Sequence, residues 1–280
     1  RARRRDQDAL ALYQELGNDA GASQALTNHG ETLTLSGDLK GARAAFDEAL
    51  ALHRKSGDRA SAGYVTFRPG ELLLLQGDLA PAEERLEEAH GELSAAGDKL
   101  GVLDVRLTRT RLLLAQGKAP QAESEARAGE PSARAEGAAD RVVTALALLG
   151  EVLLAQGRGP EALEAASSAK ERSRDGTSGL YRLEAEVSGA RVSVGAGPAA
   201  EKASAGLRAS ELARTASGKG LAVLALEART VAAAAALGGP GAARGTAELR
   251  AVAAEARGKG LGLVAQEAEK ALAAGGSSQR

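Results

Sequence analysis

Three histidines, no cysteine and several paired glutamates are the groups in this 280-residue chain with the most capacity for chemistry. His53 and His90 stand 37 residues apart, and neither has His29 at a spacing typical of metal ligands. Helix surfaces or helix–helix seams are their expected places. Glu83, Glu84, Glu87 and Glu88 share one helical face, with nothing apolar placed to raise a carboxyl pKa. They read as a solvated outer face rather than as a general acid and base. No glycine-rich phosphate loop follows a strand-like stretch, and Gly238-Gly239-Pro240-Gly241 reads as a turn. The chain is therefore not expected to be an enzyme, and no metal or other cofactor is expected.

The elements that would position a site are set by an internal period. One set of glycines falls at Gly37, Gly77, Gly117, Gly157, Gly197 and Gly238, with gaps of 40, 40, 40, 40 and 41. A second falls at Gly17, Gly57, Gly97, Gly137, Gly176, Gly218 and Gly258, with gaps of 40, 40, 40, 39, 42 and 40. Glycine is favoured where a helix ends in a left-handed residue, because a Cβ there is costly. Asp38, Asp58, Asp78 and Asp98 follow four of them, placed to cap the next helix. Pro81, Pro120, Pro160, Pro198 and Pro240 fall near first turns, where a missing N–H costs nothing. Between the glycines the apolar spacing is i, i+4, i+7, as in Ala42, Phe46, Ala49 and Ala82, Leu86, Ala89. No stretch alternates as a strand would. The expected fold is all-α.

Composition agrees with a stack of thin units. Aromatics are 2% of the chain, and Trp and Met are absent, so the seams must be built from Ala and Leu. The net charge of −1 offers no global field for nucleic acid or an anionic membrane, and no apolar run reaches membrane-spanning length. Nothing at the N-terminus reads as a signal peptide. The absence of cysteine is compatible with a reducing compartment, and a cytoplasmic location is expected. Residues 1–17 match 41–57 at seven positions, so the chain is expected to start inside a repeat, at a second helix. The basic run Arg1, Arg3, Arg4, Arg5 then reads as a solvated helix face. The units expected are 18–57, 58–97, 98–137, 138–176, 177–218 and 219–258, the last two looser. Residues 259–273 form a capping helix and 274–280 a disordered tail. The unit 138–176 is the most regular.

The Ala42-x3-Phe46-x2-Ala49 signature, with Gly30 twelve residues upstream, resembles the tetratricopeptide repeat. Gly70 with Ala82, Leu86 and Ala89 fits the same frame, as does Gly150 with Ala162, Ala166 and Ala169. The 40-residue period is similar to the longer subgroup of kinesin light chains and bacterial signalling proteins. The resemblance implies a right-handed superhelical solenoid of antiparallel helix pairs, with about six repeats and a C-terminal capping helix. It also implies a protein or peptide partner in a groove lined by the first helices. Alternatively, the array regulates an effector domain, such as a kinase or transcription regulator, lying N-terminal to it. Nucleic acid and membrane are not expected partners. Groove positions carried over from the family are Gln24, Thr27 and Glu31 in the first unit and Tyr64, Phe67 and Glu71 in the second. The third unit supplies Asp104, Leu107 and Arg111, and the fourth Thr144, Ala147 and Glu151. Tyr64 and Phe67 could anchor an apolar side chain of a peptide. The seam position that is usually Leu is occupied by His29, Pro69, Arg109 and Leu149. Three polar or helix-breaking residues there predict distorted units, with a kink at Pro69 and another at Pro131.

Overall fold

The computed structural model describes residues 2–56, 59–174 and 176–277. The side chains of residues 2–7, 56, 59–64, 276 and 277 lie outside that description. The chain forms two compact units, Arg1–Val105 and Arg106–Arg280. Among the described residues all regular structure is α-helix.

The first unit holds α1 (Ala2–Glu15), α2 (Asp19–Leu35), α3 (Leu39–Ser56), α4 (Arg59–Gln76) and α5 (Leu79–Ala96). It ends within α6 (Lys99–Ala115). Within the run α1 to α5, consecutive helices pack on one another. The second unit continues α6 and adds α7 (Ala119–Ala135), α8 (Ala139–Ala155), α9 (Gly159–Arg172) and α10 (Gly179–Ala196). It is completed by α11 (Ala199–Gly218), α12 (Ala222–Ala236), α13 (Ala242–Gly258) and α14 (Gly262–Ser277). Here α8, α10, α12 and α14 lie side by side as one layer, because α10 packs on both α8 and α12, and α12 on α14. The layer is covered by α9, α11 and α13, each wedged against its chain neighbours.

One turn recurs at the helix ends. Gly37 has φ +78°, its N–H donates to the Thr34 carbonyl, and the Asp38 N–H donates to the Leu33 carbonyl. This pair of bonds satisfies carbonyls that the helix leaves orphaned. Asp38 then starts the next helix, accepting the Gly41 N–H at 3.0 Å. Asn18 and Asp98 do the same for Gly21 and Gly101, both at 2.9 Å. Asp78 is an N-cap by position only, because its side chain makes no capping bond.

The last two units depart from the expected ladder. Gly218 and Gly258 are the final helical residues, and the positive φ falls on Gly220 and Gly260 instead. Both sit in the same four residues, Gly-Lys-Gly-Leu. The leucine that follows closes the turn, its N–H donating to Ala216 in one copy and Ala256 in the other. Leu261 is fully buried, so the turn gains an apolar contact as well. Gly197 is extended at φ −72°, and Gly238 has no positive φ, so neither makes the expected left-handed turn.

The suspect seam column is no seam. His29, Pro69, Arg109 and Leu149 are all half-buried. The residue after each is the buried one, namely Gly30, Gly70, Thr110 and Gly150. A half-buried edge lets a polar side chain reach water, which accounts for the mixed column. The true contact trades volume across the helix pair. A Cβ on Gly30 would lie 2.5 Å from the Phe46 ring, and one on Gly70 3.1 Å from Leu86. Thr110 stands where the glycine is lost, and the matching second-helix position is reduced to Ala126. Both are fully buried.

Helix α4 runs without a break through Pro69, and α7 through Pro131. Helix α14 also runs past Ala273 to Ser277, where a disordered tail was expected. A Cβ on Gly275 would come within 2.7 Å of Leu237, so this backbone packs closely on the preceding repeat.

Candidate binding face

The expected groove positions divide by burial. Thr27, Phe67, Leu107 and Ala147, the fifth position of each unit, are 1–7% exposed. They are core residues, which corrects the expectation that they contact a ligand. Thr27 donates to the Ser23 carbonyl, and the Ala147 carbonyl accepts from Ser188. The side chain of Tyr64 lies outside the described residues. Gln24 is exposed and donates to Asn28 at 3.0 Å. Asp104 is half-buried, and Thr144, also half-buried, bonds back to the Asp140 carbonyl.

The ninth position behaves differently. Glu31, Glu71, Arg111, Glu151 and, continuing the step of 40, Arg191 are each the thirteenth residue of α2, α4, α6, α8 and α10. All carry charge. In the first unit Arg68 joins this column. Its guanidinium pairs with Glu31 of the neighbouring repeat and with Glu71 at 2.8 Å, and it lies 4.5 Å over the Phe67 ring. Phe67 thus supports an ion pair from beneath rather than offering itself as an anchor.

In the second unit the charges converge further. Arg191 Nη1 donates to Glu267 of α14 at 2.8 Å, and its Nε is 3.8 Å from Glu151 of α8. Arg111 comes within 3.9 Å of Glu184. Glu227 of α12 completes the group. It and Glu267 are each the sixth residue of their helices, two turns earlier than the column to which Arg191 belongs. Seven residues is close to two full turns, so the facing direction is preserved.

This enclosure changes the ionisation of its members. Burial among the helices pushes the Glu227 carboxyl up to about 7; Arg191 opposes the rise, Glu267 adds to it, and weaker contributions from Arg111 and Glu151 oppose and reinforce it. Burial alone would lower Arg191, but Glu267, Glu151 and Glu227 together hold it above its ordinary value. Among Arg111, Glu151, Glu184, Arg191, Glu227 and Glu267, carboxylates outnumber guanidiniums four to two. Even with Glu227 protonated, three carboxylates face two guanidiniums, so the face can offer excess negative charge to a cationic group.

A second charged network joins α7 to the turn that follows α8. Glu123 of α7 accepts from Gln156 at 2.9 Å, from Arg127 at 2.8 Å and from Arg158 at 2.8 Å. These bonds, Gln156 first, hold its carboxyl down to about 2. They tie α7 to the turn between α8 and α9. The remaining sequence candidates are dispersed. Glu84, Glu87 and Glu88 are exposed on α5, where Arg85 pairs with Glu88, and Glu83 is half-buried. His53 is buried on α3, while His29 and His90 are half-buried on α2 and α5. Among the described residues no group of His, Asp or Glu is arranged to hold a metal ion, and no helix is long and apolar enough to cross a membrane.

No protein-family model matches the chain, and no curated protein does. Among solved structures it is similar to a Rap protein complexed with competence and sporulation factor. The two share 12% identity and a TM-score of 0.64, over 94% of this chain and 77% of that one. The fold is a tetratricopeptide-like array of helix pairs. Arg68, Arg191, Glu227 and Glu267 are not among the positions that the family pattern assigns to the groove. Extending the 40-residue step from Glu151 would have reached Arg191, whereas Glu227 and Glu267 are off that step.

Proposed function

We propose that this chain is a protein-interaction scaffold that takes a peptide or partner helix along the first-helix face. In the second unit the contact residues are Arg111, Glu151, Arg191, Glu227 and Glu267. One observation carries this reading: every first helix from α8 to α14 places a charged side chain on one partly enclosed face. Burying charge costs stability unless each group is fully paired. A stack selected only for packing would put Ala or Leu there, as it does at the fifth position. The excess of carboxylates selects a partner segment rich in Lys or Arg. The Rap protein, solved with competence and sporulation factor, lends support, because it shares the fold.

Panning a random peptide display library against the purified chain tests the reading. Basic peptides should be recovered, and their affinity should rise tenfold or more when Arg111→Glu adds negative charge at the exposed rim. Recovery of no binder, or of binders indifferent to Arg111→Glu and Glu184→Gln, would refute it.

A further inference from the structure

Helix α14 is held in three ways. Val264, Ala265 and Ala268 are buried against its neighbours. Arg257 of α13 pairs with Glu269. Arg191 of α10 reaches across α12 to Glu267, 76 residues further along the chain. The third tie is unlike the others because it skips a repeat, and Glu227 projects from the helix it skips.

The charges around Glu227 can be named helix by helix. Arg191 comes from α10 and Glu267 from α14, with Glu151 of α8 and Arg111 of α6 behind them. Helix α11 belongs to the same apolar cluster as α12 through Ala209, Leu212, Ala213 and Ala216, none of which titrates. On α13, Glu248 and Glu255 are taken by Arg229 of α12, at 2.7 and 2.6 Å. The cation that acts most strongly on Glu227 is Arg191, which Glu267 and Glu151 already share.

We propose that Arg191 and Glu267 form a proton-gated latch on α14. With Glu227 protonated, the guanidinium serves Glu267 and the helix stays docked. With Glu227 ionised, three carboxylates compete for one guanidinium and the helix opens more often. This does not depend on the face binding a peptide.

The direction follows from linkage. In the docked state the Glu227 carboxyl sits at about 7, above its ordinary value of 4.5. Lifting α14 takes Glu267 away and uncovers one side of Glu227, so the docked state binds the proton more tightly. Docking is then strongest below pH 4.5 and weakens as pH rises to about 7. Between pH 5 and 8 the opening equilibrium should shift by at most roughly seventy-fold, the limit in which lifting α14 restores the ordinary value.

Amide hydrogen exchange on the full chain, corrected for the intrinsic pH dependence of exchange, tests the latch. Protection of α14 amides is read relative to those of α8, at pH 5, 6, 7 and 8. The expected result is a loss of tens of fold in α14 protection across this range in the wild type, and a flat profile in Glu227→Gln. Glu267→Gln should weaken α14 at pH 5 while leaving α8 unchanged. A flat wild-type profile, an equal slope in Glu227→Gln, or α8 and α14 falling together would each overturn the proposal.

Discussion

Replacing Gly30 by alanine should destabilise the first unit, although alanine is the better helix former. Gly30 lies inside α2, where the exchange improves helix propensity by about 1 kcal/mol. The new Cβ would lie 2.5, 2.7 and 2.8 Å from three atoms of the Phe46 ring. That ring is 1% exposed and cannot swing into solvent. Forcing an extra carbon into a full site costs about 1–3 kcal/mol. Relief at that contact requires the ring or α2 itself to move, so the upper part of this range applies. The net loss expected is about 1–2 kcal/mol. Gly91→Ala is the matched control. It lies inside α5, and its Cβ would meet nothing within 4 Å, so it should gain about 1 kcal/mol. Phe46→Leu combined with Gly30→Ala should recover part of the loss. Repeat arrays need not unfold in one step, so exchange protection of α2 and α3 is the appropriate assay, with urea unfolding beside it. Equal stabilisation by Gly30→Ala and Gly91→Ala would refute the close-contact reasoning.

Glu123→Gln should cost about 1 kcal/mol at pH 7, since solvent screening of Arg127 and Arg158 discounts the larger figure implied by its pKa. The cost should be absent at pH 2, because a carboxyl lowered to about 2 stabilises above its ordinary 4.5 and loses that stability as pH falls toward 2; urea midpoints across pH check both. Arg191→Met should destabilise the second unit by about 2 kcal/mol, less than for a fully buried pair because its side chain is 24% exposed. That loss should be larger at pH 8 than at pH 5, where Glu227 carries a proton, and thermal melts at the two pH values measure the difference. Pro69→Ala restores a donor for the Val65 carbonyl and should strengthen α4 by about 1–3 kcal/mol, seen as slower exchange of α4 amides. Gly220→Ala should cost about 1 kcal/mol through its φ of +77°, whereas Gly218→Ala, helical and open on all sides, should be neutral or stabilising.

The glycine period carried the helix boundaries because each turn is local. A left-handed residue, two carbonyls and a capping Asp all lie within six residues of one another, and sequence records such arrangements directly. It failed at Gly218 and Gly258 because Gly-Lys-Gly offers two glycines for one turn, and the second is the one that brings the following leucine onto the core, Leu261 fully buried and Leu221 partly so. The binding face was harder to read. Positions five and nine of a first helix differ by only about 40° around its axis, yet Phe67 is core while Glu71 reaches a partner charge. Period alone gives spacing along the chain, whereas the rotation of each helix in the stack is set by how closely the pair approaches. That approach depends on volumes summed across partners: Gly30 with Phe46, Gly70 with Leu86, Thr110 with Ala126. The same reasoning accounts for the mixed column at His29, Pro69 and Arg109. They break a family pattern one residue away from the contact that determines packing, and at a half-buried edge the break is tolerated. Arg191 and Glu267 required more still, because their contact depends on how α10, α12 and α14 lie side by side, a relation that no pair of adjacent repeats contains.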